Sequence, residues 1–171
     1  MATNSMVFDP CSLKAVLSRS TVCSDGASRG IKSTVNDAAD GAFILGEPSS
    51  LHRSFVNLID NALKYSPDGG NVAIELRIME LDRQSFVSVT LADEGEGISE
   101  DMIDTLFERF ASDDSRSKGT VKGAGLGLNF VATVIERHGG TIRAENIAAK
   151  NGQKGGAKFT ILLPLAPEPE Q

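Results

Sequence analysis

The residues with the clearest chemical potential are two glycine-rich runs with a short basic stretch between them. The runs are residues 93–98 (DEGEGI) and 123–128 (GAGLGL), and the basic stretch is residues 116–122. Glycines that open a helix let backbone N–H groups approach an anion, and the helix dipole favours negative charge there. Basic side chains beside such a run suit a polyphosphate. The pattern therefore predicts a nucleotide site.

A second polar group is predicted on one helix, residues 48–66. Its apolar residues recur at helical spacing and form one stripe: Leu51, Phe55, Leu58, Ile59 and Ala62. Asn57, Asn61 and Lys64 share the roughly opposite face. Amide oxygens are hard ligands for Mg²⁺, and an ammonium group neutralises phosphate charge. A solvated polar face is the alternative for this helix alone, and the neighbouring glycine runs favour the ligand site.

The first glycine run includes a carboxylate that could read a base. Asp93 follows a predicted strand and precedes Gly95 and Gly97. A carboxylate at such a place can accept a hydrogen bond from an exocyclic amine, and glycines let a flat base lie close to the backbone. A simple turn built from Asp and Gly is the alternative.

Two phenylalanines precede the basic stretch. Phe107 and Phe110 are predicted to pack in the core and to anchor the base of the polar segment that follows, at about residues 111–122. Because that segment is polar and bounded by glycines, it is predicted to be a mobile lid, with an ordinary surface loop as the alternative.

The composition limits the class of partner. A chain of 171 residues, 40% of them hydrophobic, suits one domain with a full core. Its net charge of −6 argues against nucleic acid as the main partner but allows ATP, which needs only a local basic cluster. No apolar run approaches the roughly 20 residues of a membrane span. No membrane contact is therefore expected. Cys11 and Cys23 are predicted to be unpaired, which fits a reducing, cytoplasmic setting.

The remaining pattern predicts an α/β (α+β) fold, a two-layer sandwich with one mixed, mostly antiparallel sheet and helices on one face. Strict alternation at residues 72–79 and 87–91 indicates strands with one covered face. Further strands are predicted at residues 31–35, 42–45, 141–146 and 156–163, and further helices from Asp9-Pro10 onward, at 99–106 and at 124–137. The domain is predicted over residues 10–165, with flexible ends at 1–9 and 166–171.

Taken in order, these segments resemble the boxes of the GHKL ATPase superfamily, most closely the catalytic ATP-binding domain of sensor histidine kinases. The matching segments are the N box at residues 52–65, the first glycine box at 93–98, the F box at 107–110 (FERF), the second glycine box at 123–128, and residues 138–142 and 159–164. The resemblance covers roughly residues 10–165 and implies the Bergerat fold.

The resemblance also implies a role for each matching residue. Asn61, assisted by Asn57, would bind Mg²⁺. Asn57, Lys64 and Arg116 would serve phosphoryl transfer, and Asp93 would read the adenine amino group. The other nucleotide contacts it implies are Tyr65, Gly95, Gly97, Ile98, Phe110, Lys122, Gly123, Gly125, Leu126, Gly127 and Leu128.

The function that the resemblance implies is presentation of the ATP γ-phosphate to a histidine on another domain. Hydrolytic members of the superfamily carry a water-activating Glu where this chain has Asn57, and an amide cannot act as a general base. We therefore expect ATP and Mg²⁺ as cofactors, a histidine-bearing dimerisation domain of the same parent protein as partner, and a response regulator receiver domain as an indirect partner. The alternatives are a non-catalytic ATP-responsive interaction module and an anti-sigma-type serine kinase.

Three features depart from the family pattern. Ala157 stands where the family has a Thr in Gly-Thr-x-Phe, so a hydroxyl contact is missing there, and Ala124 replaces the commoner Thr of the second glycine box. No phosphoacceptor helix is visible, because His52 lies in the N box and His138 ends a helix. Both histidines are therefore expected to have a packing or capping role. The expected cytoplasmic setting of this domain is compatible with a membrane-anchored parent protein.

Overall fold

The computed structural model describes residues 8–22, 30–39, 41–108, 127–149 and 155–167. In chain order, its elements are β1 (Asp9–Ser12), α1 (Leu13–Val22), β2 (Lys32–Ala38), β3 (Phe43–Gly46), α2 (Pro48–Tyr65), β4 (Asn71–Leu81), β5 (Gln84–Ala92), α3 (Glu100–Ile103), α4 (Gly127–Arg137), β6 (Thr141–Asn146) and β7 (Ala157–Pro164).

The main sheet has the strand order β2-β4-β5-β7-β6. β2 runs parallel to β4, and the other neighbours pair antiparallel. Leu91 of β5 lies opposite Ile74 of β4 and Phe159 of β7, and all three side chains are buried. Alternation in the sequence thus becomes one apolar face across the sheet. The predicted mixed, mostly antiparallel sandwich is confirmed.

The helices cover that apolar face. The five residues of the predicted stripe on α2 are all buried in the core with the sheet residues. The opposite face of the sheet bears polar side chains, because alternate residues point away from the helices. One row across four strands is Glu75, Thr90, Thr160 and Arg143. None of these four side chains is buried, so the predicted wet face is also present.

The first helix begins later than predicted. Asp9 and Pro10 do not start it: they belong to β1, which pairs antiparallel with β3. Proline is tolerated on such an edge strand because its missing N–H leaves no ladder bond unmade. Ser12 caps α1 instead, since its Oγ accepts a hydrogen bond from the Ala15 N–H at 3.3 Å. The prediction that a helix begins at Asp9-Pro10 was therefore wrong: a short strand comes first, and the helix begins at Leu13.

The other boundaries agree more closely. The short helix predicted at residues 99–106 is the four-residue α3, followed by turns.

Cys11 is a buried free cysteine, and Cys23 lies outside the described residues. Ala166 pairs with Phe43 through an N–H···O bond of 2.8 Å, one residue past the predicted end of the domain. The predicted flexible ends at residues 1–9 and 166–171 stay predictions.

The start of α2 is fixed by an acidic cap. The Glu47 carboxylate accepts the backbone N–H groups of Ser49, at 3.1 Å, and Ser50, at 2.8 Å, and Pro48 opens the helix. These bonds satisfy donors that a helix start otherwise leaves without partners. Hydrogen bonds from Ser49 and Ser50 lower the pKa of Glu47 from 4.5 to about 2.

The Glu47 cap gives a pH-dependent contribution to stability. A lowered pKa means that the contribution is present above about 4.5 and is lost as the pH falls towards about 2. Glu47→Ala should lower the free energy of unfolding by about 1 kcal/mol at pH 6, the usual worth of a cap. Urea unfolding at pH 6 and pH 3 measures whether this difference shrinks at the lower pH. Glu80→Ala, at an exposed position on β4, is the control and should show no such change.

Candidate nucleotide-binding site

One wall of the candidate site is the polar face of α2. Asn57, Asn61 and Lys64 are all half-buried, beside the buried apolar stripe. The Lys64 ammonium lies 5.1 Å from the centre of the Tyr65 ring, and Tyr65 is 62% exposed. The helix therefore presents two carboxamides and one cation along an edge that a ligand can reach.

The C-terminal end of α2 meets the first glycine run at Gly95. A Cβ atom at Gly95 would lie 2.6 Å from the Tyr65 backbone oxygen and 2.9 Å from Asp93 Oδ1. Such distances exclude any side chain, so glycine is required for this close approach. The contact brings Asp93 beside the end of the helix that bears Asn61 and Lys64.

Asp93 is held rigidly in a buried position. Its side chain is only 5% exposed, and Oδ1 accepts the N–H groups of Gly95, at 2.8 Å, and Ala157, at 3.1 Å. Oδ2 takes part in neither bond. Burial raises the pKa of the Asp93 carboxyl above its ordinary value, and the two N–H donors oppose that rise. A buried carboxylate with one oxygen fixed can use the other to accept a hydrogen bond from a ligand.

Gly156, the residue before β7, packs against the backbone of Asp93. A Cβ atom at Gly156 would lie 1.7 Å from the Asp93 backbone oxygen, so the two chain segments touch only because residue 156 is glycine. The Asp93 N–H donates to the Ala157 oxygen at 3.0 Å. Ala157 thus serves Asp93 with its backbone, and its methyl side chain offers no hydroxyl, as the sequence indicated.

The rest of the first glycine run is held by two side chains that sequence reasoning missed. Glu94 Oε2 accepts the N–H of Asn71 at 2.9 Å. Asn146, at the end of β6, bonds both backbone groups of Ile98 at 2.7 Å. The sequence carries no local signal for either contact, because each joins segments far apart along the chain.

The second glycine run meets α2 about two helix turns away from the contact with Gly95. A Cβ atom at Gly127, the first residue of α4, would lie 3.9 Å from Asn57 Cγ. Asn57 precedes Tyr65 by eight residues, about 12 Å of helix. Asn61 lies between these two contacts on α2. The structure therefore brings the N box into contact with Gly95 at its C-terminal end and with Gly127 near its middle.

Several predicted site residues lie outside the described residues: Phe110, Arg116, Lys122, Gly123, Gly125 and Leu126. Their roles stay predictions. Phe107 packs edge-on against Phe159, with ring centres 6.4 Å apart, so its predicted core packing is confirmed. Asn129 of α4 donates to the Phe107 oxygen at 2.9 Å, and Leu128 packs against the core.

Both histidines have structural partners. His138 Nδ1 lies 2.7 Å from the Val134 oxygen, and the Glu47 N–H donates to His138 Nε2 at 3.0 Å. This pattern places the imidazole proton on Nδ1 and ties the start of α2 to the end of α4. His52 Nδ1 lies 2.9 Å from Ser20 Oγ. The packing or capping role predicted for both residues is confirmed.

The sheet, the helix layer and the contacts of α2 with both glycine runs define a two-layer nucleotide-binding type of domain. The family model described as "Histidine kinase-, DNA gyrase B-, and HSP90-like ATPase" matches residues 46–167. The chain belongs to this family, and its homologues are sensor histidine kinases, of which this domain is the catalytic part.

Individual relatives agree with this assignment. The sensor protein ChvG of Rhizobium meliloti is 40% identical over 114 residues, which are 66% of this chain and 19% of that protein. The structure of the mycobacterial sensor histidine kinase MprB has a TM-score of 0.76 at 30% identity, covering 94% of this chain and 99% of that one. Full-length ShkA in complex with AMPPNP has a TM-score of 0.72 at 25% identity, covering 96% of this chain and 32% of that one.

The curated relatives are much longer than the segment they share with this chain. This chain spans 19% of ChvG, and 24% of MprB from Mycobacterium ulcerans. In the part of the chain that the structure describes, no helix has the length and hydropathy needed to cross a membrane.

Proposed function

We propose that this chain is the ATP-binding catalytic domain of a sensor histidine kinase and presents the γ-phosphate of ATP to a histidine on another domain of its parent protein. The observation that carries the proposal is the contact between α2 and the first glycine run. Tyr65 and Gly95 touch, and the buried Asp93 lies beside them. Family membership, and a relative solved with AMPPNP, support ATP as the nucleotide.

Asp93 recognises the base in this proposal. Because Oδ1 already accepts two backbone N–H groups, Oδ2 is the oxygen that accepts from the adenine amino group. Gly95 and Gly97 let the loop that bears Asp93 pass close to Tyr65 and Asn146, because protein atoms fill the space of each missing side chain. Tyr65, exposed at the end of α2, offers an aromatic surface beside the base.

Asn57, Asn61 and Lys64 act on the phosphates. Among the described residues, no three His, Cys, Asp or Glu side chains cluster as a metal site. The amide oxygens of Asn61 and Asn57 fit Mg²⁺, which takes few protein ligands and completes its shell with water and phosphate oxygens. Bound Mg²⁺ would neutralise phosphate charge, which Lys64 also does.

Transfer to a histidine suits this chain better than hydrolysis. Asn57 cannot take a proton from water, so the site has no general base at that position. Catalysis then rests on positioning and on charge neutralisation, and the nucleophile comes from the partner domain. A response regulator would receive the phosphoryl group from that histidine. The relatives are sensor kinases, which does not favour the serine-kinase or non-catalytic alternatives.

Transfer in trans tests the proposal. The chain is mixed with γ-labelled ATP, Mg²⁺ and the histidine-bearing domain of the same parent protein. We expect label on the added domain that is lost in acid, as phosphohistidine is, and no label on the chain alone. Acid-stable label, or ATP binding without any transfer to the added domain, would contradict the kinase assignment.

Removal of the metal provides a further expected result. In excess EDTA, the affinity of the chain for ATP should fall at least tenfold, because phosphate charge would then be faced by side chains alone. Calorimetric titration with and without Mg²⁺ measures this change. Asn61→Ala should lower the affinity in Mg²⁺ towards the EDTA value and respond little to EDTA itself. An Asn61→Ala variant with the full metal effect would remove Asn61 from the metal site.

A further inference from the structure

The Asn146 side chain makes two hydrogen bonds to the backbone of Ile98, as a residue of a neighbouring strand would. Its Oδ1 accepts the Ile98 N–H and its Nδ2 donates to the Ile98 oxygen, both at 2.7 Å. One carboxamide therefore satisfies both backbone groups of one residue, which fixes the position and the orientation of that peptide segment. Ile98 also packs its side chain against the core.

The clamp extends to the neighbouring glycine. Gly97 has φ +81°, a conformation that side chains rarely adopt, and a Cβ atom there would lie 2.7 Å from Asn146 Oδ1. Gly97 is thus the place where the chain turns tightly beneath the Asn146 carboxamide. The turn and the clamp together set the path of the loop between Gly95 and Ile98.

Asn146 completes a set of contacts around this loop. Ala157 holds Asp93, Asn71 holds Glu94, and the end of α2 abuts Gly95. These three contacts act on the first half of the loop, and Asn146 acts on the second half. The base that Asp93 reads must lie against the loop as a whole, so its geometry depends on both halves.

We propose that Asn146 is a positioning residue for base recognition: by clamping Ile98 it holds the first glycine run in the shape that lets Asp93 discriminate the purine. This inference rests on the proposed function. Asn146 itself is exposed, and exposed hydrogen bonds add little net stability, of the order of 1 kcal/mol each. Loss of the clamp should therefore disturb recognition of the base more than it disturbs folding.

The test is the ratio of affinities for ATP and inosine triphosphate, measured by calorimetry on the full 171-residue chain. The two nucleotides differ at the group that Asp93 would read, an amine in one and a carbonyl oxygen in the other. A purely structural defect lowers the folded fraction and weakens the binding of both nucleotides equally. A change in the ratio of the two affinities therefore reports the positioning of the loop and not a loss of folded protein. Asn36→Ala is the matched control, an exposed asparagine on β2 with one weak bond of 3.4 Å to Glu75.

We expect wild type and Asn36→Ala to prefer ATP, and Asn146→Ala to lose about tenfold of that preference, with a small change in unfolding temperature. An unchanged ratio in Asn146→Ala, or no preference in wild type, would overturn the inference. Should Asn146→Ala fail to fold, Asn146→Asp decides in its place, since it keeps the acceptor for the Ile98 N–H but turns the donor into an oxygen facing the Ile98 carbonyl. Failure of wild type to bind any nucleotide would instead refute the proposed function.

Discussion

Asp93→Asn is expected to weaken ATP binding by about 10- to 100-fold, which corresponds to the roughly 1.5–3 kcal/mol of a hydrogen bond to a charged group. The Gly95 and Ala157 N–H groups both point at Oδ1, so the single oxygen of the new amide must take that place. Its NH₂ group then replaces Oδ2 and faces the adenine amino group, donor against donor. Calorimetric titration of both proteins measures the loss.

The same substitution should reverse the preference for the base. Inosine triphosphate carries a carbonyl oxygen where ATP carries the amine, and the NH₂ group that Asp93→Asn introduces could donate to it. We expect the variant to bind inosine triphosphate at least as well as wild type does, while it loses ATP. Equal weakening of both nucleotides would mean that residue 93 supports the fold and does not read the base.

Stability should move in the opposite direction from affinity. Because burial raises the pKa of Asp93, its charge opposes folding above the raised pKa and has no such effect below about 3.8, where the carboxyl is protonated in both states. Asp93→Asn removes that charge. The variant should therefore unfold at the same temperature as wild type, or a higher one, at pH 7, with the difference shrinking as the pH falls towards 3.8. A variant that is less stable at pH 7 would contradict this.

Gly95→Ala should damage both the fold and the site. The added methyl would lie 2.6 Å from the Tyr65 oxygen and 2.9 Å from Asp93 Oδ1, and neither atom can move freely. One belongs to the end of α2, and the other holds two N–H groups. Overpacking of this kind costs about 1–3 kcal/mol, or several degrees in unfolding temperature for a chain of this size. ATP affinity should fall at least tenfold, because Asp93 and α2 can no longer keep their present spacing.

Gly127→Ala is the matched control for the fold. It adds the same methyl group on the other side of the candidate site, where the nearest atom among the described residues, Asn57 Cγ, would be 3.9 Å away. That distance is an ordinary van der Waals contact, and alanine is favoured over glycine in a helix. Differential scanning calorimetry should find Gly127→Ala as stable as wild type and Gly95→Ala destabilised. Equal stability of the two variants would show that the close approach at Gly95 is not required.

The parts of the fold that the sequence predicted are those with a local periodic signal. The apolar stripe of α2 becomes a buried face, and so does the alternation in β5 and in β4 as far as Leu76. Ile78, which continues the alternation of β4, is 47% exposed. β1 was mistaken for a helix start because Asp followed by Pro is a common helix opening, and only pairing with β3 shows otherwise. That pairing is a long-range contact, which no local pattern contains.

The candidate site divides in the same way. The glycine runs and the polar face of α2 were recognisable because residue type and spacing within one segment carry the chemistry. Asn146 was not, since it lies 48 residues from Ile98, and Ala157 lies 64 residues from Asp93. Gly156 had no signal beyond its residue type, and its role depends on the Asp93 backbone that folding brings against it. Contacts of this kind follow from the sheet order, which brings the end of β5, the start of β7 and the end of β6 to the same edge of the sheet.

The central claim is that Asp93 and the polar face of α2 bind two ends of one nucleotide. A crystal structure of the chain with Mg²⁺ and a non-hydrolysable ATP analogue tests it directly. The claim predicts the adenine amino group within hydrogen-bond distance of Asp93 Oδ2, and Asn61 beside a metal ion that contacts the phosphates. An analogue bound elsewhere, or one that touches Asp93 while its phosphates point away from α2, would contradict it.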